Sequence, residues 1–206
     1  KRYGVFMVKT LPGCVRRVLV AALCLVPVAA SAQQPGQCTP AGSLVQLPGL
    51  PEASGLAVSR RTPGRLWTHN DSGHPVLVAL DSRGAVTGQV RVSGAAVEDW
   101  EAIAVGPCDA GSCVYIGDIG DNDAARARIT VYRVPEPATA SGTATVSGVF
   151  HATYPDGAHD AETLIAVGET LYVVTKGETG PVAIYRFPPK MLARPTVGLE
   201  RLSGKT

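Results

Sequence analysis

Several features that would identify an activity directly are missing from this sequence of 206 residues. It has no nucleophile elbow, no P-loop and no zinc motif with paired histidines, which excludes the common hydrolase and nucleotide-binding signatures. It also lacks a long segment of helical periodicity and an apolar run of roughly 18 residues, the length that a membrane-spanning helix requires. The features that remain to indicate a function are its short β-rich runs, its turns and its acidic residues.

The N-terminal segment has the pattern of a secretory signal peptide. Basic residues follow the expected start, Met7, and precede the apolar run Val18–Ala30, which ends at a small-residue cleavage site at Ala32. Residues 1–6 are interpreted as upstream sequence, and residues 33–48 as a linker. A transmembrane anchor is the alternative, but the apolar run is too short for one. We therefore expect cleavage after Ala32, no stable membrane span afterwards, and a secreted or periplasmic protein.

Removal of the signal peptide changes the sign of the net charge. Residues 1–32 hold five basic residues and no acidic one, so a net charge of +2 for the whole chain becomes −3 for the mature one. A mildly acidic domain offers no electrostatic basis for binding nucleic acid. Nucleic acid is therefore excluded as an expected partner.

Three cysteines remain after the expected cleavage: Cys38, Cys108 and Cys113. An oxidising compartment permits disulfides, and Cys108 and Cys113 flank a predicted hairpin turn, which predicts a bridge between them. A zinc site is the alternative for this spacing, but no second Cys or His pair accompanies it. Cys38 has no predicted partner.

Short β-rich runs separated by Gly, Pro, Asn and Asp predict an all-β fold. The runs recur in one order, in which SGLAV from Ser54, EAIAV from Glu101 and TLIAV from Thr163 each begin a unit. Units of this length with three or four strands are typical of propeller blades. The predicted strands are Gly55–Val58, Arg65–His69, Val76–Leu80, Ala102–Val105, Val114–Ile116, Ile129–Val134, Leu164–Val167, Leu171–Thr175 and Val182–Phe187.

The predicted fold is a partial β-propeller over residues 49–206, with about three blades of a six-bladed ring. The blades are expected near residues 52–97, 98–150 and 151–206. The segment Pro135–Phe150 is predicted to hold a turn and the outer strand of its blade. Propellers close with four to eight blades, so the missing blades are expected from the rest of a longer chain.

Acidic residues recur at equivalent places in the units. Asp99-Trp-Glu101 and Asp160-Ala-Glu162 open the first strand of the second and third units, and Glu52-Ala-Ser54 is the weaker counterpart in the first. Residues i and i+2 of a strand point the same way, so each pair should face one side, at the mouth of the central channel. The alternative is that Asp and Asn at these places only form turns.

Clustered carboxylates suit calcium, which takes six to eight oxygen ligands. The predicted ligands are Asp99, Glu101, Asp118, Asp121, Asn122, Asp160 and Glu162. The predicted binding residues are Asn70, Asp71 and Trp100, although Trp100 is expected to face away from its acidic neighbours, into a layer between blades.

His159 precedes an acidic pair and is the candidate general base or transition-metal ligand, the alternative being a hydrogen-bonded histidine without a catalytic role. These residues predict a metal-dependent hydrolase of esters, lactones or phosphates. A non-enzymatic module that binds a protein, a glycan or a small molecule is the alternative.

The motifs HNDSG, VEDWEAIAV, YIGDIGDN, YRVPEP and YPDGAHDAETL lie between His69 and Leu164. In these motifs the sequence resembles an uncharacterised group of exported bacterial β-propeller proteins, over about residues 50–188. More distantly it is similar to the six-bladed, calcium-dependent propellers that include gluconolactonases and phytase-like esterases. The resemblance implies a propeller with acidic residues at the channel mouth. Its likeness to the enzymes is only architectural, so their activity does not carry over.

Overall fold

The computed structural model of the protein describes residues 44–177, 180–189 and 195–202. These residues form fourteen β-strands and no helix. The predicted all-β class is therefore confirmed. No helix in the described part is long and apolar enough to span a membrane. The predicted signal peptide and Cys38 lie outside the described residues.

The strands form three sheets. The first sheet contains, in spatial order, β1 (Ala53–Val58), β2 (Leu66–Asn70), β3 (Val76–Leu80), β4 (Val86–Ser93) and β8 (Gly142–Thr145). The second contains β5 (Trp100–Gly106), β6 (Cys113–Asp118), β7 (Ile129–Pro135), β9 (Gly148–Thr153) and β13 (Thr196–Gly198). The third contains β10 (Ala161–Val167), β11 (Thr170–Thr175), β12 (Ile184–Arg186) and β14 (Glu200–Leu202).

The first four strands of each sheet pair antiparallel, whereas the fifth strand of two sheets is parallel to its neighbour. Strand β8 follows β7 of the second sheet along the chain, but it pairs with β4 of the first sheet. Strand β13 pairs with β9 of the second sheet. Residues 135–150 therefore hold a strand that joins the preceding sheet, followed by the start of β9. The predicted limit between units at residue 150 falls within β9.

Apolar side chains fill two layers between the sheets. Trp67 of the first sheet and Trp100 of the second are fully buried in one layer, together with Val114. Tyr115 and Leu171 belong to the other layer, between the second and third sheets. Because successive strand residues point to opposite faces, the neighbours Val114 and Tyr115 serve different layers. The second sheet is thus covered on both faces, which explains why every residue of β6 is buried.

The first strands of the three sheets lie together, since β5 contacts both β1 and β10. Each of them carries one bulge against the next strand, at Gly55, Glu101 and Glu162 respectively. A bulge changes the direction in which a side chain points and is frequent beside functional sites. At Gly55 the close approach of other groups excludes a side chain, because a Cβ would lie 2.8 Å from His69 Nε2 and from the backbone nitrogen of Ile103.

Cys108 and Cys113 form a disulfide, as predicted. The bridge lies between β5 and β6, where it closes the turn that joins these two neighbouring strands.

Candidate functional site

Three carboxylates, one from each unit, form a group that we call the first tier: Asp71, Asp99 and Asp160. The backbone of Asp71 accepts a hydrogen bond from Trp100 N at 2.9 Å, which joins the first unit to the start of β5. Asp160 Oδ1 accepts one from Asp121 N, also at 2.9 Å. Burial raises the pKa of Asp99, and the negative charges of Asp71 and Asp160 raise it further. Asp99 is thus within electrostatic reach of a carboxylate from each neighbouring unit.

A second tier consists of Ser54, Glu101 and Glu162. Ser54 Oγ lies 2.9 Å from Glu101 Oε2 and 2.9 Å from the backbone oxygen of Glu101, so its hydroxyl donates across the first two sheets. Lys176 Nζ lies 2.9 Å from Glu162 Oε1 and 3.5 Å from Asp160 Oδ2, and so joins the two tiers.

Glu101 has an unusually high proton affinity. Burial raises the pKa of its carboxyl group to about 7, the hydrogen bond from Ser54 opposes this, and the charges of Glu162 and Asp99 add to it. Glu101 and Glu162 come from different sheets, so the charge of Glu162 acts on the pKa of Glu101 across the boundary between the second and third sheets.

The glycine in the GDIGDN motif that follows β6 makes room for the acidic pair of β5. A Cβ at Gly120 would overlap Asp99 Oδ2 and would lie 2.9 Å from Glu101 Cγ. Asp99 and Glu101 therefore share one side, as their spacing predicted. Asp160 and Glu162 also share one side, because the single ammonium group of Lys176 reaches both carboxylates.

Asp118 and Asp121, both predicted as calcium ligands, hold the loop after β6 in place. The Asp118 carboxylate accepts the N–H groups of Glu98 and Asp99 at 3.1 Å each and forms an ion pair with Arg126 at 2.9 Å. The Asp121 carboxylate accepts the N–H groups of Ala125 and Arg126 at 2.9 and 2.8 Å. Their oxygens are already engaged, so the structure gives them a structural role.

The other predicted residues are divided between surface and core. Asn122 is exposed on the same loop, whereas Asn70 is partly buried at the end of β2. Trp100 is fully buried, edge-on to His69, with its Nε1 donating to Ala96 O at 2.9 Å. The assignment of Trp100 as a ligand-contacting residue is therefore corrected, since strand alternation directs it into the layer between sheets.

His159 belongs to a different cluster from the two tiers. Its Nε2 lies 3.0 Å from Asp156 Oδ1 and 3.0 Å from the Tyr185 hydroxyl, and its ring is edge-on to Tyr154. Asp156, His159 and Arg201 line a cavity of about 320 Å³, which Asp160 of the first tier also lines. Among the described residues its partners are thus the cluster around Asp156, rather than Glu101 or Glu162, which leaves the predicted base without a contact to the second tier.

Three buried oxygens near the tiers have no hydrogen bond from any described residue: Asn70 Oδ1, Asp71 Oδ1 and Asp160 Oδ2. For Asp160 Oδ2 the ammonium group of Lys176 is the nearby charge, at 3.5 Å. Buried oxygens are ordinarily satisfied, so such atoms indicate a place for an additional cation or donor.

In the described part of the chain, no three His, Cys, Asp or Glu side chains are arranged to hold a metal ion. The predicted set of seven ligands is thus not gathered around one point. The chemistry of the two tiers nevertheless suits calcium, because every side-chain atom in them that could bind a metal ion is an oxygen.

Sequence reasoning missed the residues that balance the acidic groups. Arg126 and Lys176 lie in polar loops, and nothing in their spacing distinguishes them from solvated lysines and arginines. Ser54 could be found from the repeat, because it occupies the place of Glu101 in the first unit.

Comparisons of the chain with models of known protein families and with curated proteins gave no match. The resemblance to exported propellers therefore stays a prediction.

The high proton affinity of Glu101 predicts a pH-dependent stability. Since its pKa of about 7 in the folded protein exceeds the ordinary value of 4.5, the folded state holds the proton more tightly than the unfolded state does. This stabilisation is present below pH 4.5 and is lost as the pH rises through 7. After allowance for solvent screening we expect a loss of about 1 to 2 kcal/mol in the free energy of unfolding between pH 5 and 8.

Urea unfolding of wild type and Glu101→Gln at several pH values measures this effect. A glutamine at this position does not titrate, so the stability of the variant should change less with pH than that of wild type. At pH 8 the variant should unfold at a higher urea concentration than wild type. Glu169→Gln, which removes the same charge at an exposed turn, serves as the matched control. Equal pH profiles for wild type and Glu101→Gln would contradict the assignment.

Proposed function

We propose that the three sheets are consecutive blades of an exported β-propeller whose two tiers bind a divalent cation, calcium. Four-stranded antiparallel sheets with adjacent first strands and a strand exchanged between neighbours support the propeller architecture. The disulfide supports an oxidising compartment, as expected for an exported protein.

One observation supports the cation site: the first strands and adjoining loops of three sheets place five carboxylates within electrostatic reach of one another, although no three of them surround one point in the described residues. These are Asp71, Asp99, Glu101, Asp160 and Glu162. Lys176 forms ion pairs with both carboxylates of the third unit, and burial together with the charge of Asp71 from the first unit raises the pKa of Asp99. An excess of negative charge in a partly buried place is relieved by a bound cation.

Calcium suits this excess of negative charge, because it binds carboxylate and carbonyl oxygens. The buried oxygens of Asn70 and Asp71 that lack a hydrogen bond are neutral or anionic donors of the type calcium prefers. Asp99 and Glu101 supply further carboxylates on the same side of β5. The ion would hold the three inner strands together and give the channel mouth a positive centre for an anionic or hydroxyl-rich ligand, such as a glycan.

Thermal unfolding with millimolar calcium and with excess chelator tests the site. A ligand that binds only the folded state raises the unfolding midpoint, so wild type should melt higher in calcium. Asp99→Asn should abolish this rise and should melt higher than wild type in chelator, because it removes one of the repelling charges.

Asp123→Asn is the matched control, since Asp123 is exposed on the loop after β6. It should keep the full response to calcium. Equal midpoints of the wild type in calcium and in chelator would overturn the proposed cation site.

A hydrolase is the second candidate function, and the pKa of Glu101 favours it. A carboxyl group that titrates near 7 can donate and accept a proton at neutral pH. In this candidate Glu101 takes the role that the sequence assigned to His159. Assays of the purified protein with ester, lactone and phosphate substrates separate it from a module that only binds.

A further inference from the structure

The cavity of about 320 Å³ in the third unit is not used by the proposed cation site. Its walls come from the loop before β10, from the end of β11 and from β14. The polar side chains that line it are those of Asp156, His159, Asp160, Thr175 and Arg201. A concave site of roughly 300 Å³ with a few polar groups is large enough for one small ligand.

Asp156 fixes the geometry of one wall of this cavity. Its Oδ1 lies 3.0 Å from His159 Nε2, and its Oδ2 accepts a hydrogen bond from Arg201 Nη1 at 2.8 Å. The Tyr185 hydroxyl donates to the same carboxylate at 2.9 Å. The Tyr154 ring packs edge-on against the rings of His159 and Tyr185, with centroids 5.1 and 4.8 Å apart. A wall that is fixed in advance loses little conformational freedom when a ligand binds.

The cavity offers both a hydrogen-bond acceptor and hydrogen-bond donors. Asp160 is only 8% exposed, and its Oδ1 accepts from Asp121 N, whereas its Oδ2 has no hydrogen bond from any described residue. Since buried oxygens are ordinarily satisfied, Oδ2 is suited to accept from a ligand. A guanidinium group has five N–H donors, and among the described residues only Asp156 accepts a hydrogen bond from Arg201. The remaining N–H groups can donate to a ligand.

The charges around the cavity are balanced. Arg201 pairs with Asp156 at 2.8 Å, and Lys176 pairs with Asp160 at 3.5 Å. Paired charges give no excess of either sign that would attract an ionic ligand, but they place strong donors and acceptors side by side. A hydroxyl group donates one hydrogen bond and accepts two, so an uncharged ligand with several hydroxyl groups complements this wall.

We propose that this cavity binds one unit of an uncharged, hydroxyl-rich ligand, a saccharide ring or a cyclic polyol. One ligand hydroxyl donates to Asp160 Oδ2, and another accepts from the Arg201 guanidinium. Asp156 acts as a positioning residue, because it holds Arg201 and His159 in the wall. Asp160 borders both this cavity and the first tier, but the inference does not rest on cation binding by the tiers.

Saturation-transfer NMR of the full chain tests the site, with glucose, galactose, mannose and myo-inositol as the probes. Excess chelator is present throughout, so the result does not depend on whether the tiers bind calcium. At least one probe should receive saturation from the protein. Titration with that probe should shift the imidazole signal of His159 and leave those of the other three histidines in place, which locates the ligand in this cavity.

Arg201→Met removes the donors from a side chain that is 47% exposed, so the variant should fold and should bind the probe about tenfold more weakly or worse. Arg186→Met is the matched control, because Arg186 forms an ion pair with Glu200 on the same sheet and does not line the cavity. It should bind like wild type. Absence of saturation transfer to all four probes, or equal affinities of wild type and Arg201→Met, would overturn the proposal. Displacement of the probe by inorganic phosphate would also overturn it, because that result indicates an anion site.

Discussion

Replacement of Glu136 by alanine is expected to lower the free energy of unfolding by about 3 to 5 kcal/mol. Glu136 follows β7, is only 2% exposed, and accepts hydrogen bonds from the hydroxyls of Ser59 and Ser112 and from Trp67 Nε1 at 3.2 Å. These donors come from the first sheet and from the turn before β6. Its removal would leave them buried without an acceptor, so the connection between the first two sheets would weaken.

The charge on Glu136 makes the stability of the protein depend on pH. Burial alone would raise its pKa, but the hydrogen bonds from Ser112, Ser59 and Trp67 outweigh burial and hold the pKa below its ordinary value. Its contribution is therefore present above the unfolded value of 4.5 and is lost as the pH falls through the lower folded value.

Guanidinium unfolding at neutral pH measures the effect of Glu136. Glu136→Gln keeps one acceptor oxygen and should lose less than half as much stability as Glu136→Ala. Glu169→Ala, at an exposed position, should change the free energy by no more than about 0.5 kcal/mol. A Glu136→Ala protein as stable as the Glu169 control would show that the buried acceptor contributes nothing.

Replacement of Trp100 by alanine is expected to cost about 3 to 5 kcal/mol, because it leaves a large cavity between the first two sheets. The indole is fully buried, lies 5.6 Å from the His69 ring and 6.2 Å from the Tyr132 ring, and donates to Ala96 O. Trp100→Phe should cost less, since it keeps most of the apolar volume and loses the hydrogen bond.

The Trp100 series separates packing from ligand contact. The midpoint of denaturant unfolding should fall in the order wild type, Trp100→Phe, Trp100→Ala, whereas Leu44→Ala, at a fully exposed position, should match wild type. If Trp100→Ala kept wild-type stability, the indole would not be a core side chain. The prediction that Trp100 contacts a ligand would then have to be restored.

The central strands of each sheet could be predicted because their apolar residues form dense runs between turn residues. Val76–Leu80 is predicted with the same bounds that the structure gives β3. The outer strands are harder to predict. Strand β8 has the sequence GTAT, with no apolar periodicity, and is held by pairing with β4 across a long sequence distance. Such pairing depends on tertiary contacts that a local pattern does not contain.

The site could be located from the repeat, but the role of each carboxylate could not. Asp118 at the end of β6 and Asp121 in the loop that follows each lie beside a glycine, which suits an ion ligand and a backbone acceptor equally well. Only the structure shows that their oxygens take N–H groups and Arg126. Asp99 and Glu101 have the same chemistry, but they face carboxylates of neighbouring sheets, and the sequence does not reveal which sheets meet.

The most direct test of the cation site is anomalous diffraction from crystals of the protein grown with manganese, which like calcium prefers oxygen ligands. We predict an anomalous peak within coordination distance of Asp99, together with oxygens of Asp71, Glu101, Asp160 or Glu162. Loss of that peak in Asp99→Asn crystals would complete the assignment. A peak confined to the loop of Asp121 and Asn122, or no peak at all, would contradict it.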